Sequence, residues 1–248
     1  MSRRTGEQTK ALLIETGIGM LLERGTTAGV SHIRLQEVVR RAGLTTGAAY
    51  RLWADQDAFH HDLAVGAARW RGEEPVANTL TRIGPLVASH APLMEVIRQG
   101  GQAHVDGFRD ENPDRPGRPG SFLVALALRA TSANWVDLRD ASVARHAGSV
   151  GDFARLYGEL MSAYGLRMRE PFTLEQFTLA MAALGEGFAL QAIQGVDHPR
   201  VRRPGPDGVG DEWTLFGLAV WALVEAFMQG NPERPDLGRQ TPATNSIG

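Results

Sequence analysis

Residues 41–59 read RAGLTTGAAYRLWADQDAF, and this run of small and polar residues between two helical stretches restricts the fold more than any other part of the chain. Gly43 reaches the left-handed backbone of a tight turn at little steric cost, so it ends one helix and redirects the chain. Thr45 is a suitable N-cap for a short helix ending near residue 52, and Asp55 for a further helix to about residue 71. Upstream, Ala11, Leu12, Ile14, Ile18, Met20, Leu21 and Leu22 recur near the helical period over 9–24, with Gly25 at the C-cap position. Between these elements a helix runs through residue 41, turning Leu35, Val38, Val39 and Ala42 inward and Arg34, Arg40 and Arg41 outward; Ser31 can cap it, and the long linker from 25 to 38 leaves His32 and Arg34 as alternatives. No strand signal intervenes, so residues 1–54 read as a three-helix, helix-turn-helix module. On spacing alone the same turn also fits an αα corner inside a helical protein, with Tyr50 half-buried.

The exposed chemistry of such a turn suits an anion. Thr45, Thr46 and Gly47 present amides and hydroxyls at the start of the short helix, where the helix dipole favours a phosphate. Tyr50 and Arg51 follow one turn later with a phenol and a guanidinium that reach phosphates or base edges, while Trp53 packs inward. The formal charge of −2 conceals an asymmetry: residues 1–71 carry ten Lys or Arg against seven Asp or Glu, a balance of +3, and the remainder is −5. That sign fits a polyanion-binding module on an acidic body, and composition by itself only permits it.

Beyond residue 71 further helices are expected over 74–90, 92–109, 121–144, 151–167, 174–194 and 212–229. NPDRPGRPG at 112–120 and HPRVRRPGPDGVGD at 198–211 are dense in proline and glycine and read as surface loops; residues 231–248 read as an unstructured tail. The stretch 213–228 is too short to span a bilayer and contains Glu225, so it reads as a buried helix. The two late helices are apolar over more than one stripe, and the second stripe of each calls for a partner. A twofold dimer in which 174–194 and 212–229 from each chain form a four-helix bundle is the economical arrangement. The segment 122–138 is apolar almost all round, which makes it central, and residues 55–230 as a whole read as a helical effector-binding and dimerisation domain. Met94, Phe108, Tyr157, Met161, Phe172, Phe177 and Phe188, with Trp135 and the amides of Gln102, Asn134 and Gln191, are the candidates to line an apolar cavity with a few polar anchors. For the aromatic and Met residues ordinary core packing is the commoner role, and for the amides a solvent-facing one.

Ala42, Gly43, Leu44, Thr45, Gly47, Tyr50 and Trp53 together form a recognisable pattern: the run AGLTTGAAYRLWADQDAF resembles the DNA-binding signature of TetR-family transcriptional regulators, over about residues 10–65. The resemblance implies an all-α fold in which the third helix enters the major groove, with Thr45, Thr46, Gly47, Ala48 and Tyr50 as its contacting face and Ala49 toward the core. Specificity would then come from Thr46, Tyr50, Arg51, thymine methyl contacts and DNA shape. Arg34 is the first choice for a phosphate contact. Gln56 stands where the family usually has Lys, so its expected contact to the DNA backbone is neutral or absent, and Leu52 stands where His is frequent. The resemblance further implies a homodimeric repressor whose operator affinity is relieved by a small, largely apolar effector acting through the fourth helix.

Other chemistries find little in the sequence. There is no cysteine, hence no disulfide or thiolate site, and the cytoplasm is the default compartment. The N-terminus lacks the continuous apolar core of a signal peptide. His60, His61 and Asp62 are adjacent and face different sides of a helix, and no zinc-type His-Glu-x-x-His, phosphate-loop or Gly-x-Ser-x-Gly pattern occurs. No metal, cofactor or catalytic residue is therefore expected. Two other classes stay open: a helical dimeric interaction module without operator binding, and an all-α enzyme built from residues distant in sequence.

Overall fold

In the computed structural model, which describes residues 4–25, 27–70, 75–109, 118–204 and 210–232, the first helix starts before its apolar period does. Thr5 and Gln8 close a capping box: the Thr5 hydroxyl accepts from the Gln8 N–H at 3.2 Å and the Gln8 side-chain oxygen accepts from the Thr5 N–H at 2.9 Å. Helix α1 consequently runs Gly6–Arg24 and stops at Gly25, whose φ of 76° ends the helical path while its N–H reaches Leu21 O. A short strand, β1 Thr27–Val30, intervenes where only a connection was expected. Next come α2 Leu35–Arg41, α3 Thr46–Ala49 and α4 Gln56–Arg69. Gly43, at φ 66°, makes the turn between α2 and α3. Asp55 caps α4 through a 2.8 Å bond from Ala58 N–H.

Two local expectations change. Of Ser31, His32 and Arg34, the N-cap position of α2 falls to Arg34, because the chain from β1 turns through 31–33 before the helix begins. Helix α3 is a single turn ending at Ala49, and Leu52 and Trp53 continue it only as turn bonds to Ala49 O.

The described residues divide into two compact units, one from residues 1–72 and 111–148 and the other from 73–110 and 149–248. In the first, α1 and α4 cross at glycines: a Cβ on Gly17 would lie 2.9 Å from Leu63 Cδ1, and one on Gly66 would lie 2.6 Å from Ile14 Cγ2. The core of this unit joins Leu13, Leu21, Ile33, Val38, Trp53, Phe59 and Leu63 to Val124, Leu128, Leu138 and Ala141. The last four come from α7 Arg118–Thr131 and the start of α8 Val136–Ala163. The stretch 122–138 is thus not one continuous helix, since a 3-10 turn at Ser132–Asn134 separates α7 from α8. Nor does α8 break near residue 151, where a new helix was expected.

The second unit contains α5 Pro75–Ala88, α6 Leu93–Arg109, α9 Leu174–Ile193 and α10 Leu215–Phe227, together with the remainder of α8. A second capping box, Thr173 with Gln176, starts α9, and the Thr214 hydroxyl caps α10. Helices α6 and α10 meet backbone to backbone, since a Cβ on Gly101 would fall 2.7 Å from Gly217 Cα. Two small antiparallel pairs complete the unit: β2 Leu166–Met168 with β5 Met228–Gly230, and β3 Val201–Pro204 with β4 Gly210–Trp213. The segment expected as a loop over 198–211 therefore forms most of a hairpin, anchored by Trp213, which is almost fully buried. Most of the loop expected at 112–120 and nearly all of the tail from 231 lie outside the described residues. The fold is all-α apart from these short strands.

Candidate nucleic-acid interface

The first unit displays its shortest helix on its surface. Thr45, Thr46 and Gly47 are exposed, Ala48 is half-buried, and Tyr50 is 52% exposed. Ala49 and Trp53, four residues apart, are buried and form the base on which this face stands. Trp53 is held edge-on to Phe59, with ring centroids 5.2 Å apart, and donates its indole N–H to Asp62 Oδ2 at 2.7 Å. Lys10 completes the contact with an ammonium 2.6 Å from the same oxygen. Burial pushes the Asp62 carboxyl up, but the hydrogen bonds from Lys10 and Trp53 outweigh it and leave the group below the ordinary aspartate range.

Charge around the face is selective. Arg24 pairs with Glu37, and Arg41 with Glu23, so these two arginines are spent on ion pairs. The Arg41 hydrogen bond holds Glu23 below the usual carboxylate range, and Arg24 does the same for Glu37. Arg34, Arg40 and Arg51 are exposed. Arg51 is oriented by a 3.1 Å bond from its Nε to Gly47 O, which lays the guanidinium stem along α3.

Thr45, Thr46, Gly47, Tyr50 and Arg51 therefore share one accessible stretch, beside half-buried Ala48, and Arg34 opens α2 on the surface. Gln56 differs. It is half-buried, and its amide is bonded inside the unit, accepting from Leu35 N–H and donating to Ile33 O, both at 3.0 Å. The expectation of a DNA-facing Gln56 is replaced by an internal one. Little within a few residues of Gln56 announces this, because the two backbone groups that hold it lie 21 and 23 positions earlier. Arg40, outward in the helical pattern, joins the exposed cations although the TetR resemblance did not single it out.

The cavity candidates are dispersed. Asn134 is exposed and Trp135 is half-buried against His61, both in the first unit. In the second unit Phe177 is buried edge-on to Tyr157 and Phe227, with centroids 5.4 and 5.8 Å away. Burial raises the Tyr157 phenol well above its ordinary value. Met94 and Met161 are half-buried, Phe108 meets His104 edge-on, Gln102 donates to Asp106, and Gln191 is exposed. A crevice of about 10 Å³ among Val105, Phe188, His198, Thr214 and Phe216 has room for one water molecule. Of the eleven candidates, Phe188 alone lines it.

No family model and no curated protein matches the sequence. Solved structures do match. The chain is similar to E. coli NemR in its reduced form at 17% identity, over 90% of this chain and 98% of that one, with a TM-score of 0.51. A Rhodococcus protein assigned to the TetR family of transcriptional regulators aligns over 88% and 97% at 14% identity, TM-score 0.44. The flavonoid-responsive regulator FrrA aligns over 92% and 100% at 14% identity, TM-score 0.47. The NemR likeness establishes the fold along nearly the whole chain, and it is the helical fold that the TetR resemblance implied. No helix among the described residues is long and apolar enough to cross a membrane.

Proposed function

We propose that the chain is a TetR-like transcriptional regulator that binds operator duplex through α3. The observation that carries this reading is the accessible Thr45–Arg51 surface standing on the buried Ala49 and Trp53 base. A helix this short has little packing use for exposed threonines, a tyrosine and an arginine, whereas a DNA groove offers phosphates and base edges to all of them. Arg34 and Arg40 supply positive charge for the flanking backbone.

The regulator acts as a homodimer. Leu179, Ala183 and Gly187 recur on the exposed side of α9, and Leu215, Ala222 and Ala226 on that of α10, giving two stripes of small and apolar residues suited to a helical bundle with a second copy. Repression relieved by a small apolar effector follows from the family resemblance, with the ring cluster around Tyr157 and Phe177 as the region supporting an effector site. It works in the cytoplasm, where an operator is accessible.

Binding to duplex from the chain's own promoter region, measured across several salt concentrations, tests the reading. Log affinity should fall linearly with log salt. Tyr50→Ala should weaken binding about tenfold, within the ~1–3 kcal/mol of a base-edge contact, and leave the dimer intact by light scattering. A dimer with no salt-dependent duplex affinity would favour the interaction-module alternative.

A further inference from the structure

Helix α2 begins without a cap of its own. Its N-cap residue, Arg34, has no acceptor to offer, and no side-chain cap bond is made there. His32, just upstream, has both ring nitrogens buried without a hydrogen-bond partner among the described residues. The acceptor arrives from α4 instead: Gln56 Oε1 lies 3.0 Å from Leu35 N, the first amide of the helix. The same side chain donates from Nε2 to Ile33 O at 3.0 Å, which fixes the amide in one orientation. His60 Nε2 lies 2.7 Å from Gln56 Nε2 and 3.0 Å from the same Ile33 O. That ring nitrogen faces both the Gln56 amide and the carbonyl to which the amide donates, and whether it donates or accepts follows the ring tautomer. His60 thereby buttresses the glutamine from one turn along α4.

From this geometry we infer that Gln56 is a positioning residue, supplying in trans the N-cap that α2 lacks and so fixing the start of the helix that carries Arg34 and leads into α3. The inference deepens the DNA-binding reading and rests on it for its consequence, but the cap itself exists without DNA. It also gives the first turn of α4 a direct mechanical grip on the reading head, through the two Gln56 hydrogen bonds to Leu35 and Ile33 rather than through apolar packing alone.

Hydrogen exchange at the Leu35 amide in the full-length, DNA-free protein tests the cap. Gln56→Ala and Gln56→Lys should each accelerate that exchange severalfold, while Tyr50→Ala leaves it unchanged. Should Gln56→Ala fail to fold, Gln56→Glu retains the acceptor oxygen and should keep the amide slow; fast exchange in that variant, or unchanged exchange in the Ala and Lys variants, overturns the inference. Duplex titrations supply the second arm. Both Ala and Lys variants should bind about fivefold more weakly, the loss expected of a missing cap, and Gln56→Ala should preserve the salt slope. Tighter binding by Gln56→Lys with a slope steeper by about 0.9 would instead place position 56 on a phosphate. If the unaltered protein binds no duplex at all, the regulator reading fails while the exchange result still decides the cap.

Discussion

In the first unit α1 and α4 cross at Gly17 and Gly66, and what lies against those glycines is the ends of Leu63 and Ile14 side chains; in the second, α6 and α10 cross at Gly101 and Gly217, and what lies against Gly101 is backbone. A side-chain terminus can rotate to a neighbouring rotamer, whereas a backbone yields only if its helix moves. The first unit adds polar ties to this looser crossing: Asp62 to Trp53 and Lys10, and Gln56 to the start of α2. The contrast predicts different sensitivities. Added volume should injure the second unit most, and lost polar partners the first.

Gly101→Ala is the largest test. The new methyl meets Gly217 Cα, and the overpacking penalty of about 3 kcal/mol exceeds the ~1 kcal/mol gained from alanine's helix propensity. A denaturant midpoint clearly below that of the unaltered protein is expected. Asp62→Ala comes next, at about 2 kcal/mol, because it leaves the Trp53 indole N–H and Lys10 without their acceptor in a partly buried position. Asp62→Asn, which keeps an acceptor for the indole, should cost less. Gly17→Ala should be the mildest, within about 1 kcal/mol of neutral, since Leu63 can move and propensity offsets the strain. Equal losses for Gly17→Ala and Gly101→Ala would break the contrast outright.

Acid sharpens the same comparison with a smaller effect. The folded Asp62 carboxyl sits below its unfolded value, so its contribution is fully present above the unfolded pKa of ~3.9 and is lost as pH falls through the lower folded value. Stability measured by denaturant titration between neutral pH and strongly acidic conditions should therefore drop less in Asp62→Asn than in the unaltered protein. A parallel loss in both would remove Asp62 from the acid response.

Legibility from the residues follows the range of the interactions. Gly25 and Gly43 as helix stops, Asp55 as the cap of α4, buried Ala49 and Trp53, and exposed Tyr50 were all readable, because each is set by neighbours within a turn or two. The capping boxes Thr5–Gln8 and Thr173–Gln176 were equally local signals. The first was passed over because the apolar period begins only at residue 9, and the second coincides with the expected start at 174. Gln56 was read from its place in a motif as a DNA-facing residue, and its partners across the α2–α4 contact gave no mark in the surrounding sequence.

The sequence by itself determined that this chain is helical, that a glycine-bearing turn presents a short polar helix near the N-terminus, and that the late helices are too apolar for one buried face. Caps, turns and periodicity are energies of adjacent residues and need no knowledge of the rest of the molecule. The tertiary structure decided where α2 begins, which unit the first residues of α8 pack into, and that 201–204 pairs antiparallel with 210–213, where Trp213 is buried. Those outcomes depend on which surfaces meet after collapse, and a hydrogen bond across 21 residues or a core contact across more than 100 leaves no periodic trace in either partner.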